Sequence, residues 1–432
     1  MQDFQLSAFY NQYLSAGSNR LDAVLTVTST ADTTVSASAG SAPLVLGFLL
    51  DISGSMAGQK LNAAKNALRR NIELLPESAH FFVAVFSETA DAIVPISAAT
   101  PANKERASRM IQRVDVDGGT VMSSGLYLMR DMIHMFGNCI ASVSFLTDGQ
   151  NDPTDVRRLR DAVEACKGVF QCDCRGVGTD WEPKELRMIS EALLGNADAI
   201  TDPAGLDADF QGFLGRAMSK GIANTTLRLW SPKVVKLLAV KQVSPEIVDM
   251  TSHIVRPDGG QPEISLGAWG NESRDYQLTF EVPPGAVGDE MMVCRPALLF
   301  SGPQGEVKVD SNHIVAGWSA DEAQTTRINP EVAHYTGQEE LASSIQEGLQ
   351  AREAGDEDRA TRLLGRAAKL AAETGNDEVT KRLKKVVEVV DASAGTVRLK
   401  KADKAADLEL QMGGTRTVRR RVGVTETPGG QA

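Results

Sequence analysis

Three short stretches of this chain carry hard oxygen ligands at spacings suited to a small cation. The first is Asp51-Ile52-Ser53-Gly54-Ser55-Met56, where a carboxylate and two hydroxyls fall on alternate positions. The second is Asp117-Gly118-Gly119-Thr120, and the third is Thr147-Asp148-Gly149. Together they offer Asp51, Ser53, Ser55, Thr120 and Asp148, all oxygen donors. Such a set selects Mg²⁺, with Ca²⁺ or Mn²⁺ as alternatives, and does not suit zinc. Neutral hydroxyls leave much of the cation's charge unquenched, so an open coordination position attracts a carboxylate from elsewhere. Gly54 is expected to supply the backbone freedom that turns both hydroxyls toward one centre.

Those stretches can meet only if three elements end side by side. The run 44–50, Leu-Val-Leu-Gly-Phe-Leu-Leu, is apolar throughout and reads as a central parallel strand buried on both faces. Helical periodicity over 58–75, strands at 81–86 and 92–96, and helices at 102–114 and 121–136 follow. Strand 140–146, helix 153–167 opened by Pro153, strand 169–177, helix 183–194, a short strand near 197–201 and helix 205–220 complete the alternation. The pattern predicts a doubly wound, mostly parallel α/β sheet over 42–221. In such sheets, ligands gather in the crevice at the carboxyl ends of the strands, where all three stretches fall.

Asp-x-Ser-x-Ser, the distant Thr after a Gly pair, and the Asp of Thr-Asp-Gly resemble the metal-ion-dependent adhesion site of von Willebrand factor type A domains. All five motif positions are present, in order, and the resemblance covers roughly 42–220. It implies direct ligation by Ser53 and Ser55, a Thr120 that alternates between direct and water-mediated contact, and an orienting role for Asp51 and Asp148. It further implies a partner protein that presents Asp or Glu to the ion, and a downward shift of helix 205–220 on binding. The whole chain resembles intracellular bacterial proteins that place such a domain between a β unit and a helical segment. Those act as adaptors near Ser/Thr kinases, stress-response systems or AAA+ ATPases.

Beyond residue 222 the pattern changes to short apolar or alternating runs at 225–230, 234–241, 263–268, 275–282, 291–300, 306–309 and 313–316. Turn sequences such as Pro283-Pro284-Gly285 separate them, which predicts a β-sandwich over 222–328. The alternating segment 20–29 has no α/β neighbour. It is expected to join that sandwich, so that 1–41 and 222–328 flank an inserted α/β domain. Residues 36–42, rich in Ser, Ala and Gly, read as a linker. The segment 329–392 is helical, and 354–372 resembles a helix of a tetratricopeptide hairpin; with one such unit visible, a bundle packed on the sandwich is expected. The basic end, 393–432, is expected to be a disordered tail in which Thr415 and Thr417 could accept phosphate.

Bulk properties narrow the function classes. A net charge of -11 and 5% aromatic residues argue against nucleic acid and anionic lipid as partners. The N-terminus lacks a signal-peptide pattern and no apolar run approaches a membrane span, so a cytoplasmic location is expected. The five cysteines (Cys139, Cys166, Cys172, Cys174, Cys294) show no zinc-ribbon spacing and read as reduced thiols, mostly buried. His80, His134, His253, His313 and His334 stand singly, and no nucleophile elbow, phosphate-binding loop or His-Glu-x-x-His occurs. A haloacid-dehalogenase reading of Asp51 fails because Ser53 stands where a second acid is needed. The expected function is therefore non-enzymatic, metal-dependent protein binding. The alternatives are a substrate-recruiting subunit of an AAA+ ATPase of the chelatase kind, and an ion that only staples loops together.

Overall fold

The computed structural model describes residues 4–30, 42–302 and 305–420. Residues 36–41 of the expected linker lie outside that range, as does everything after Arg420. Strands β1 (Phe4–Tyr10), β2 (Tyr13–Ser15) and β3 (Arg20–Ser29) come first. The α/β unit then begins with β4 (Leu44–Asp51), which is buried almost throughout. It continues through α1 (Gln59–Glu73), β5 (His80–Phe86), β6 (Ala90–Ala98), α2 (Pro101–Gln112), α3 (Met122–Phe136), β7 (Ile140–Thr147) and α4 (Val156–Cys166). It ends with β8 (Gln171–Val177), α5 (Pro183–Ala192), β9 (Ala197–Ile200) and α6 (Leu206–Met218).

The sheet order is β6-β5-β4-β7-β8-β9. Only β6 is antiparallel, pairing Val83 with Val94; β4 runs parallel to both β5 and β7. Continuous apolar strands bury both faces, and two separate cores result. Leu49, Phe86 and Phe145 pack under α3 and α4 on one side. Leu46, Phe48 and Leu50 pack under α1 and α6 on the other, with Phe48 5.9 Å from the rings of both Phe210 and Phe213. Pro153 does not open a helix as expected. It lies in a turn, and α4 starts at Val156, because Asp155 is used to hold the start of α3 instead.

The remaining strands form two antiparallel-dominated sheets around one apolar core. These are β10 (Ile222–Trp230), β11 (Lys236–Ser244), β12 (Val248–Asp249), β13 (Ile254–Val255), β14 (Glu263–Trp269), β15 (Glu272–Glu281), β16 (Glu290–Gly302), β17 (Gly305–Asp310) and β18 (Ile314–Ser319). The first sheet runs β1-β3-β15-β11-β12, and the second β13-β14-β10-β16-β18-β2 with β17 on β16. β3 pairs with β15 over ten registered positions from Ser29–Glu272 to Arg20–Glu281. The α/β unit thus departs after a strand of one sheet and returns into a strand of the other.

Four helices follow: α7 (Glu322–Thr325), α8 (Pro330–Glu353), α9 (Glu357–Thr374) and α10 (Asp377–Val386). α8 docks on the sandwich through Val332 and Tyr335, which pack with Val24 and Val243. The expectation of disorder from residue 393 is corrected over 393–420; its remainder lies outside the described residues. β19 (Val387–Asp391) pairs with β20 (Thr396–Leu399), and α11 spans Lys404–Gly413. Leu408 and Met412 of α11 enter the core under β7 and β8, and Leu410 packs among α8, α9 and α10. The segment 415–420 then lies along the sandwich, where the Thr417 N–H donates to the Pro245 carbonyl at 2.9 Å. Its cationic side chains find acids that are distant in sequence, which composition does not reveal.

Candidate metal centre

β4, β5 and β7 end side by side, and the loops that follow are tied to one another by backbone hydrogen bonds. Ile52 N–H donates to Phe86 O at 2.9 Å and Asp117 N–H to Ile52 O at 2.7 Å. Gly54 N–H donates to Gly118 O at 3.2 Å, Val121 N–H to Ser87 O at 2.8 Å and Asp152 N–H to Thr120 O at 2.8 Å. Side chains close the remaining gaps: Asn151 Oδ1 accepts from Met122 N–H at 2.9 Å, and Asp155 accepts from both the N–H and hydroxyl of Ser123. The three ligand-bearing stretches are therefore fixed by the protein's own backbone.

The two carboxylates form the floor, and Asp51 and Asp148 are both fully buried. Asp51 Oδ1 accepts the Ser53 N–H at 2.7 Å, and its Oδ2 accepts the hydroxyl of Thr147. Burial pushes the Asp51 carboxyl above its usual range; the hydrogen bonds from Thr147 and Ser53 pull the other way, and the nearby charge of Asp148 adds to the rise. Asp148 Oδ1 accepts the Ser55 hydroxyl at 2.6 Å, and Ser55 Oγ stands 3.1 Å from Ser53 Oγ. Ser53 is buried, Ser55 exposed and Thr120 half-buried, so the hydroxyls climb from the floor to the solvent.

A space at Gly149 shows that they converge. A Cβ built there would stand 3.1 Å from Thr120 Oγ1, 3.3 Å from Ser55 Oγ and 3.9 Å from Ser53 Oγ. Glycine leaves this cradle open. All five sequence-predicted residues meet at this one edge. Three loops contribute oxygen, and hydroxyls must make up the set, since among the described residues no group of three His, Cys, Asp or Glu side chains is placed to hold an ion, here or elsewhere. The donor set fits a hard divalent cation: Ser53, Ser55 and Thr120 would face it directly, with Asp51 and Asp148 behind them. Bound there, such an ion supplies a fixed positive charge to an incoming carboxylate.

One reading from sequence needs amendment, and two residues escaped it. Left-handed backbone occurs at Gly58 (φ 79°) and Gly118 (φ 57°), which flank the site, rather than at Gly54. The residues missed are Thr147 and Lys60. Thr147 stood beside the recognised Asp148, and its hydroxyl settles one oxygen of Asp51. Lys60 lies in the first turn of α1, and its ammonium pairs with Asp148 Oδ2; nothing in the spacing of a helical lysine signals this. A separate cleft of about 510 Å³ opens beside α4 and α5, away from the strand ends. Arg160, Arg187, Glu164 and Glu191 line it with both signs of charge, so it presents no single chemistry. The cysteines are free thiols, four of them buried, and burial pushes Cys166 up to about 12.

Comparisons with known proteins place the fold in a family. A family model for the von Willebrand factor type A domain matches residues 45–199, and one for a von Willebrand factor type A C-terminal domain matches 369–413. The solved structure of a von Willebrand factor type A protein from Catenulispora acidiphila is 38% identical, with a TM-score of 0.88 over 97% of each chain. The ArnB paralog VWA2 from Sulfolobus acidocaldarius shares the fold at 14% identity, with a TM-score of 0.61 over 97% of this chain and 100% of its own. An uncharacterised protein of Synechocystis sp. is 29% identical over 230 residues, 52% of this chain and 54% of that one. The inter-alpha-trypsin inhibitor heavy chain H1 of Bos taurus is 26% identical over 219 residues, 48% of this chain and 22% of its own. This chain therefore spans about half the length of the first of these two relatives and less of the second. With a relative of 38% identity aligned nearly end to end on the same architecture, the chain belongs to the von Willebrand factor type A family.

Proposed function

We propose that this protein is a divalent-metal-dependent protein-interaction module, an adaptor that binds a partner's Asp or Glu through an ion held by Asp51, Ser53, Ser55, Thr120 and Asp148. The observation that carries the reading is the convergence of three hydroxyls on the open space at Gly149, above two buried carboxylates. Membership of the von Willebrand factor type A family supports it. Mg²⁺ is the proposed ion, with Ca²⁺ or Mn²⁺ as chemical equivalents. Because the direct ligands are neutral, the ion keeps a strong field toward solvent. A carboxylate completing its shell there is partly desolvated, and the contact is worth more than a surface ion pair.

An ion that serves only to staple the loops is disfavoured, since the backbone bonds Gly54–Gly118, Asp117–Ile52 and Asp152–Thr120 already do so. Catalysis is not proposed: the carboxylate that faces the Ser55 hydroxyl, Asp148, is itself paired with the Lys60 ammonium. No helix among the described residues is long and apolar enough to cross a membrane, and the free thiols suit the reducing cytoplasm proposed as its location. The test is capture of partners from the parent cell's lysate by the full chain, with and without chelator, and by Asp51→Ala. Capture lost in both arms is the expected result. Capture unchanged in both would discard the reading.

A further inference from the structure

Lys60 begins α1 immediately behind the candidate site, and its ammonium donates to Asp148 Oδ2. Asp148 is fully buried, whereas the Lys60 side chain is 25% exposed. On its far side the stem runs past a glycine, Gly178, whose missing side chain leaves it room. A methyl group built on Gly178, just past β8, would lie 3.3 Å from Lys60 Cε and 3.5 Å from Nζ. Gly178 is itself fixed, in left-handed backbone with φ 73° and with its N–H on the Ile200 carbonyl at 2.9 Å. The ammonium therefore reaches Asp148 through a space that a larger residue at 178 would take. The other oxygen of that carboxylate accepts Ser55 at 2.6 Å and belongs to the hydroxyl cluster.

We propose that Lys60 is a resident counter-cation that keeps metal affinity at this site moderate, so that the ion exchanges rather than staying permanently bound. The inference rests on the metal-dependent reading above. Asp51 and Asp148 together place two negative charges in a buried floor, where their mutual repulsion is weakly screened. Lys60 cancels one of them whether or not an ion is present. The metal-free protein is thereby stabilised, and a dication meets both a floor of lower net charge and a positive neighbour. Removing the ammonium must therefore act in opposite directions on the two states. A lysine that merely held Asp148 in place for the ion would act in the same direction on both.

The experiment uses the full chain as wild type, Lys60→Met and Lys60→Arg. Mn²⁺ binding is read by calorimetry, and thermal melting is read in chelator. Lys60→Met is expected to bind Mn²⁺ about tenfold tighter while melting lower in chelator, since a nearby like charge has been removed from a weakly screened site. Lys60→Arg, which keeps the charge, should stay within about threefold of wild type in affinity. Should Lys60→Met fail to fold without metal, Lys60→Gln is measured in the same way. Unchanged or weaker Mn²⁺ binding by the folded neutral variant overturns the inference alone. A folded wild type that takes up no Mn²⁺ overturns the metal-dependent reading and this inference with it.

Discussion

Ser53, Ser55 and Thr120 carry no charge, and the proposed function turns on that neutrality. Anionic ligands in their places would satisfy a cation fully and leave it nothing to offer a partner. The space they share is set by the missing side chain of Gly149, so Gly149→Ala is a direct probe. Its methyl would sit 3.1 Å from Thr120 Oγ1 and 3.3 Å from Ser55 Oγ, in the space proposed for the ion. Divalent-ion affinity in that variant should fall at least about tenfold, or about 1.4 kcal/mol, with little change of melting temperature in chelator. Calorimetry and melting together check it, and equal affinity would place the ion elsewhere. At this scale the sequence was informative, because ligand types and spacing are written in three short strings. Thr147 and Lys60 were not legible, since each acts through a carboxylate that comes near it only after folding.

Strand β4 positions Asp51, and it must be gripped by helices on both faces. Gly47 lies under α3, where a Cβ would stand 2.6 Å from Met129 Cε and 2.7 Å from Phe82 Cζ. Gly47→Ala should therefore cost about 1–3 kcal/mol through overpacking, read from urea denaturation of the whole chain. A neutral or stabilised variant would mean that α3 is not seated as described. Strand and helix types here followed from unbroken apolar runs alternating with helical periodicity, which burial on both faces requires. The start of α4 was misjudged because Pro153 looked like a first-turn proline, while the carboxylate of Asp155 is spent on Ser123. Local sequence cannot show a side chain used by another element.

The whole molecule is closed by its C-terminal segment, which touches all three parts of the fold. Arg416 pairs with Asp198 of β9 and Glu378 of α10, Arg419 with Asp275 of β15, and Arg420 with Glu331 of α8. Asp275, only 4% exposed, accepts two hydrogen bonds from Arg419 at 2.7 and 3.0 Å and another from Thr26. Arg419→Ala should destabilise the chain by about 2 kcal/mol. That lies below the ~3–5 kcal/mol of a fully enclosed pair, because the guanidinium is 40% exposed. A loss under a few tenths of a kcal/mol in denaturant titrations would show that the segment is not docked.

Asp198 makes the same closure sensitive to acid. Burial alone would raise its pKa, but the charges of Arg416 and Arg382 outweigh that and hold it below the ordinary aspartate range. A depressed carboxyl stabilises the fold above its unfolded pKa, and that contribution is lost as pH falls through the folded value. Asp198→Asn should therefore flatten the decline in stability below about pH 4, relative to wild type; parallel acid-melting curves would contradict this. The basic end read as a tail because its partners lie from 38 to 218 residues away in sequence. The joining of β3 to β15 was legible only by elimination, as a strand pattern with no other sheet to enter.

The proposed function depends on one hard cation held by oxygen from three loops. Calorimetric titration of the chelator-treated full chain with Mn²⁺ tests this most directly, beside Asp51→Ala and Asp148→Ala. One site per chain is predicted for the wild type and none for either variant, all three remaining folded by circular dichroism. Equal uptake by the three proteins, or none by the wild type, would contradict it.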